Sequence, residues 1–269
     1  MYLNQGSGVA SVRKSGPEFN SYLMAMIEAV LFDLDDTLLS NSIDRFLPRY
    51  FALLGEYAEP KLGDRNRFLR VLMDGTQAMI MDTDGATTNR AVFWKRFEAM
   101  TGKSVDEMEP FFEQFYDTIF PQLRDACAKR PTAVEMVQAC FDHDLKVVIA
   151  TNPVFPRRAV EERLAWAGLP VDSFPFALVT SYENMHATKP NAAYYLEILQ
   201  QVEAQPKRAV MIGDDWENDI APAKAVGLST YWITNDSESV RVPDQGLVDG
   251  YGSLDACYQW LTSVFTGVG

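Results

Sequence analysis

The most restrictive feature of this chain is a short apolar run, Ala29-Val30-Leu31-Phe32, that stops abruptly at Asp33-Leu34-Asp35-Asp36-Thr37. A run without polar alternation fits a strand buried on both faces, as in a parallel sheet. Two further segments share the design. Lys146–Ala150 ends at Thr151-Asn152-Pro153, and Ala209–Ile212 ends at Gly213-Asp214-Asp215. Weaker strands are expected over Phe176–Val179 and Thr230–Ile233. Helical spacings lie between them: Val134, Val137, Cys140 and Phe141, then Val160, Leu164 and Ala167, then Tyr195, Leu196, Leu199 and Val202. Strands alternating with helices of this length predict the α/β class, with a doubly wound, Rossmann-like parallel sheet.

Residues 45–129 break that alternation. They contain no β-branched run, and their apolar residues recur at helical spacing: Phe68, Leu72 and Met79; Phe93, Phe97 and Met100; Phe111, Phe112, Phe115 and Ile119. Asp82-Thr83-Asp84-Gly85-Ala86, Pro110 and Pro121 are expected to interrupt the helices. The expected organisation is a leader over 1–25, an α/β core over 26–44 and 130–269, and an inserted all-helical domain over 45–129. The insertion carries 12 of the chain's 24 basic side chains and 13 of its 37 acidic ones, so most of the net charge of -13 lies outside it. Positive charge for an anionic ligand is therefore expected on the insertion, with Arg45, Arg49, Lys95 and Arg96 as candidates. The simpler reading of those four is a solvated helix surface, and of the Phe and Met pattern, the insertion's own core.

So acidic a chain is repelled by a phosphate backbone and by an anionic membrane surface, which argues against nucleic-acid and membrane partners. Three cysteines (Cys127, Cys140, Cys257) without close spacing exclude a disulfide framework or a zinc site as the organising principle. They read as structural thiols in a cytoplasmic protein. The apolar stretch Tyr22–Phe32 contains Glu28 and is too short to span a bilayer.

Ligands of an open parallel sheet bind beyond the carboxyl ends of its strands. Those ends bring Asp33, Asp35 and Asp36 from the first strand, Thr151 from the second, and Asp214 and Asp215 from the third, with Asp219 on the following turn. Two like charges at ~4 Å repel by about 4 kcal/mol at an effective dielectric of 20. Such a cluster calls for a cation, and all-oxygen ligands favour Mg²⁺. Helix capping accounts for one Asp per loop, but not for two clusters at the ends of one sheet. A cation among carboxylates, with a hydroxyl at Thr151 and a lysine at Lys189, fits phosphoryl transfer through a carboxylate nucleophile. Alone, Lys189-Pro190 would read as a solvated turn and Thr151 as a strand-end cap.

The order Asp33-Leu34-Asp35-Asp36-Thr37, Thr151, Lys189-Pro190, Gly213-Asp214-Asp215 and Asp219 resembles the haloacid dehalogenase-like hydrolases over roughly residues 27–235. The resemblance implies Asp33 as nucleophile and Asp35 as general acid and base. It implies Asp33, the Asp35 carbonyl and Asp214 as magnesium ligands, Asp219 as a supporting carboxylate that holds the metal site or Lys189, and Asp215 either in that supporting role or on the metal. Thr151, Asn152 and the backbone from Asp33 through Leu34 to Asp35 would hold the phosphoryl group, and Lys189 would offset its charge. The insertion falls where the family carries a helical cap. A carboxylate at Asp35, absent at that position in true dehalogenases, implies a phosphatase or phosphomutase. Asp36 departs from the glycine common after the second Asp.

The expected function is a Mg²⁺-dependent phosphatase acting on a small phosphorylated metabolite through an aspartyl phosphate. A phosphomutase is the alternative, separated from it by release of inorganic phosphate. A receiver-type phospho-accepting domain stands further off, because there the Lys closes the motif order. A binding protein without activity is hard to reconcile with all four of Asp33, Asp35, Lys189 and Asp214.

Overall fold

The computed structural model describes residues 27–41, 43–234 and 242–266, so the expected leader over 1–25 lies outside the described residues. Strand β1 (Ala29–Phe32) is followed by β2 (Leu39–Ser40). Four helices come next: α1 (Ile43–Leu62), α2 (Arg65–Met81), α3 (Asn89–Thr101) and α4 (Val105–Thr118). A 3₁₀ segment (Phe120–Ala126) leads to β3 (Ala128–Lys129), α5 (Pro131–Asp142), β4 (Lys146–Ile149) and α6 (Arg157–Ala167). The chain continues through β5 (Leu178–Val179), α7 (Ala192–Gln201), β6 (Ala209–Gly213) and α8 (Ala221–Val226). It ends with β7 (Ser229–Ile233), β8 (Gly250–Gly252) and α9 (Leu254–Thr266).

The main sheet has the order β5-β4-β1-β6-β7-β8, and every pairing is parallel. β1 sits centrally, with Phe32 in register with Ile149 of β4 and Ile212 of β6. All four of its residues are fully buried because both faces are covered. Val30, Phe32, Val147, Ile149, Val210 and Ile212 point into a layer shared with α5, α6 and α9. Ala29, Leu31, Val148 and Met211 point the other way, against α7 and α8. This two-sided burial is the reason the strands read as unbroken apolar runs.

β5 is shorter than the expected strand. Phe176 bonds back to Phe174 through its backbone, and both rings pack near Phe141 of α5 instead of extending the ladder. Pro110 does not interrupt its helix: α4 continues through it to Thr118. Packing of Phe112 and Phe115 against neighbouring aromatic rings outweighs the lost backbone bond there.

The helices α1–α4 leave and rejoin the sheet region through β2 and β3, which pair antiparallel, Leu39 with Lys129 and Ser40 with Ala128. Their interior is aromatic, with Phe97, Phe115 and Phe120 fully buried. The start of α3 is tied to the sheet's loops. Asn89, itself fully buried, donates through Nδ2 to the carbonyls of Pro153 and Ala187, both at 3.2 Å. Its backbone N–H reaches the carbonyl of Met185 at 2.8 Å, and that of Arg90 reaches Tyr182 at 2.7 Å. Among the described residues no helix is long and apolar enough to cross a membrane.

Candidate active site

Because β1 lies between β4 and β6, Asp33, Thr151 and Asp214 meet at one edge of the sheet. Asp33 continues the ladder, its N–H donating to the Ile212 carbonyl at 2.9 Å. Lys189 Nζ, almost fully buried, donates to Asp33 Oδ1 at 2.8 Å and to Asp219 Oδ1 at 2.5 Å. Asp214 Oδ1 accepts from Thr37 Oγ1 at 3.2 Å. Carboxylate oxygens of Asp33, Asp214 and Asp219 lie within 4.8 Å of one another.

Three carboxylates against one ammonium leave the cluster electronegative. Burial, then the charge of Asp219 and Asp36, pushes the Asp214 carboxyl up to about 7. Burial raises Asp33 well above the usual carboxylate range; the ammonium of Lys189 opposes that shift, while the acids around it add to it. Burial works against the Lys189 charge too, but Asp219 and Asp33 outweigh it and hold the ammonium well above its ordinary value. Hard oxygen donors in this number and this close fit a hard divalent cation.

Asp219 reaches the cluster from a wide helical turn, Trp216–Ile220, that follows β6. Its Oδ2 accepts from the Asp215 N–H at 3.1 Å. Gly213 makes that approach feasible, since a Cβ there would sit 2.2 Å from the Asp219 carboxylate. Asp215 turns away and caps the same turn, accepting from the N–H groups of Glu217 and Asn218 and from Asn218 Nδ2. Asp219 therefore stands in the cluster, and Asp215, whose place the sequence leaves undecided, caps the turn.

Thr151 is anchored through its carbonyl, which accepts from Thr180 Oγ1 at 2.7 Å and Tyr194 OH at 2.9 Å. Asn152 Oδ1 accepts from the Lys189 backbone N–H at 3.3 Å. Leu34, expected among the phosphate-binding residues, is fully buried and is not among the residues lining the cavity. Asp36 takes the left-handed conformation, with φ of 55°, that a glycine would adopt without strain. Its Oδ1 accepts from the Asn41 N–H at 3.0 Å, which helps an Asp occupy that position.

Asp35 has partners that sequence reasoning missed. Its Oδ2 pairs with Arg163 Nη1, and its Oδ1 accepts from Asn41 Nδ2 at 2.7 Å. Arg163 is nearly inaccessible, lies over the Phe155 ring at 4.7 Å and donates through Nε to the Ala159 carbonyl. The signal was present: Arg163 falls on the apolar stripe of α6 with Val160, Leu164 and Ala167. A charged residue on a buried stripe needs a partner.

The acidic cluster opens into a cavity of about 430 Å³ whose other side is formed by α1–α4. Leu47, Tyr50, Phe51 and Leu54 of α1 line it, together with Leu72, Met73 and Thr76 of α2. Phe93 and Trp94 of α3 and Phe112 and Tyr116 of α4 complete that wall. The expectation of positive charge from this segment is not met. Arg45, Arg49, Lys95 and Arg96 are all exposed and none lines the cavity. The outward cations find acids nearby, as Arg96 does with Asp74, Arg90 with Glu109 and Lys103 with Glu107. The Phe and Met pattern serves as core and as cavity wall together. Burial pushes the thiols of Cys127 and Cys140 up to about 12 and that of Cys257 well above its ordinary value, as befits structural cysteines.

A ribulose-1,5-bisphosphate 5-phosphatase from Halopiger xanaduensis is 30% identical over 223 residues, covering 80% of this chain and 87% of that protein. The pyrophosphatase PpaX of Anoxybacillus flavithermus is 27% identical over 205 residues, covering 76% and 82%. The crystal structure of a 2-haloacid dehalogenase from Pseudomonas syringae pv. Tomato superposes with a TM-score of 0.58 at 23% identity, covering 88% of this chain and 99% of that one, a likeness of fold. Residues 27–227 match the haloacid dehalogenase-like hydrolase family model. With that match over most of its length and the strand-tip acids in the expected order, the chain belongs to the haloacid dehalogenase-like hydrolases.

Proposed function

We propose that this hydrolase is a Mg²⁺-dependent phosphatase that cleaves a small phosphate monoester through an aspartyl phosphate on Asp33. The observation that carries the reading is Asp33 at the tip of the central strand, bonded to the buried Lys189 and opening into the same cavity as Asp35. In this reading the Asp33 carboxylate attacks phosphorus and the ester's alkoxide leaves with a proton from Asp35. Asp35 then takes a proton from the water that hydrolyses the aspartyl phosphate. Arg163 and Asn41 orient the Asp35 carboxylate. Thr151, Asn152 and the backbone around Leu34 receive the phosphoryl oxygens, and Lys189 offsets their charge. Asp33, Asp214 and the Asp35 carbonyl would hold the cation, with Asp219 supporting them and fixing Lys189. The cation would neutralise charge on the transferring group. Asp215 supports the site by capping the turn that carries Asp219.

The helices of residues 45–129 act as a cap that excludes water from the reacting groups and selects the substrate. The two curated relatives, named for a sugar bisphosphate phosphatase and a pyrophosphatase, support phosphoryl hydrolysis on a small molecule. Three free cysteines suit the cytoplasm. The test is phosphate release from a panel of small monoesters, with Mg²⁺ and with excess chelator. Release that the chelator abolishes is expected. Isomerisation without free phosphate would transfer the reading to a mutase, and metal-independent release would remove the cation from it.

A further inference from the structure

We infer that the ester cleaved here carries a single phosphate on an apolar alcohol of aromatic-ring size, and that polyols and bisphosphates are poor substrates. This rests on the phosphatase reading above and concerns the wall opposite the acids. Among the described residues lining the cavity, Lys189 is the single cation, and it is already bonded to Asp33 and Asp219. A second phosphate would lie in the same cavity as Asp35, Asp36 and Asp215, with no arginine or lysine to receive it. Burying an unpaired anion is strongly unfavourable.

The helical wall has little to offer a sugar. The hydroxyls of Tyr50 and Tyr116 bond to each other at 2.9 Å, and Thr76 Oγ1 donates back to the Leu72 carbonyl at 3.0 Å. Tyr182 OH donates to Glu109 at 3.3 Å. A polyol's hydroxyls would lose water there for few partners, chiefly the one proton that the Tyr50–Tyr116 pair leaves over and the buried Nε1 of Trp94. A site that under-pairs a ligand's polar groups selects against it. What the wall does present is apolar and aromatic surface: Leu47, Phe51, Leu54, Leu72, Phe93 and Phe112. Rings and methylenes gain from such surface, and the cavity's volume falls in the usual range for small-molecule sites.

The experiment compares kcat/KM with Mg²⁺ for alkyl monophosphates of increasing length, 2-naphthyl phosphate, glycerol phosphate, a pentulose bisphosphate and pyrophosphate. Each added methylene is expected to raise kcat/KM about fourfold until the wall is covered. Naphthyl phosphate should exceed glycerol phosphate by at least about a hundredfold. Equal or reversed preferences among turned-over esters would overturn the inference and leave the phosphatase reading standing. Should no ester turn over, the phosphatase reading fails, and binding decides the wall's preference. Naphthylmethylphosphonate should bind at least tenfold more tightly than a dihydroxyalkyl phosphonate of similar size; equal binding overturns the inference. Met73, about half exposed at the cavity, supplies a variant that does not disturb the core. Met73→Lys should lower kcat/KM for naphthyl phosphate and raise it for the bisphosphate. An unchanged ratio contradicts the assignment of this wall.

Discussion

The tips of β1, β4 and β6 and the wall built by α1–α4 line one cavity, yet they are made on opposite principles. The tips concentrate buried charge: Asp33, Asp214, Asp219 and Lys189 hold one another within a few ångströms. The wall is largely apolar, and the hydroxyls of Tyr50, Tyr116 and Thr76 bond to one another or to the backbone. Chemistry needs charged groups fixed where bonds break, and a parallel sheet supplies fixed points at adjacent strand ends. Selectivity needs only a surface of given shape and polarity, which four helices can supply from scattered positions. Substitutions at the tips should therefore act on rate, and on stability as well where they leave a buried charge without its partner, while substitutions in the wall should act mainly on which ester is taken.

That division can be broken most directly at Asp33. Asp33→Asn should lower kcat by at least about 10⁴-fold, as removing a nucleophile does, with circular dichroism and melting temperature close to the parent's; retention of a tenth of the activity would dissolve the distinction between tip and wall. Asp35→Asn should cost about 10²–10⁴-fold in kcat, and the loss should shrink for esters whose alcohol is a good leaving group. A uniform loss across leaving groups would assign Asp35 a structural task. Lys189→Met leaves Asp33 and Asp219 buried without their counter-charge, and urea melts should show a loss of about 3–5 kcal/mol. A change under 1 kcal/mol would mean that the acids were not held by it.

The cation sharpens the comparison through pH. Asp214, pushed up to about 7 from an ordinary 3.8, keeps its proton in the folded state where the unfolded chain has lost it. Its contribution to stability is complete below pH 3.8 and disappears as the pH rises through 7. If Asp214 holds Mg²⁺ as proposed, the ion competes with that proton, and its apparent affinity should fall by about tenfold for each pH unit below 7. Thermal shift with Mg²⁺ at pH 5 and pH 8 measures this, with the larger shift expected at pH 8; equal shifts would place the ion elsewhere. The smallest effect belongs to the wall. Tyr50→Phe removes the bond to Tyr116 and should cost about 1 kcal/mol in stability, with kcat changed less than threefold. A loss of turnover matching that of Asp35→Asn would make Tyr50 part of the chemistry.

The same contrast explains what the sequence made legible. The strands carrying Asp33, Thr151 and Asp214 could be read because two-sided burial writes itself as an unbroken apolar run, and polar residues at the end of each run mark its tip. Lys189 could be placed only by its company, since a Lys-Pro turn carries no local signal for burial. Arg163 was overlooked although it sits on the stripe of Val160, Leu164 and Ala167, and it is the residue that pairs with Asp35. The last helix was also open to reading: Leu254, Cys257, Leu261 and Val264 recur at helical spacing and are all buried. The wall could not be read in this way. Periodicity shows that Phe93 and Phe112 face inward, but not whether inward means the core of the helices or a cavity. The charge count places cations on this segment and is silent on direction; Arg90 and Arg96 pair with acids of neighbouring helices, and Lys103 with Glu107 one turn on.

The account rests on Asp33 as the group that takes the phosphoryl. Single turnover of a ³²P-labelled monoester, quenched in acid and reduced with borohydride, converts an aspartyl phosphate to homoserine that peptide mass spectrometry can place. Homoserine at position 33, formed and lost at rates consistent with turnover, is the predicted result. Phosphate release on that timescale with residue 33 recovered only as aspartate, or with the modification at another acid, would contradict it.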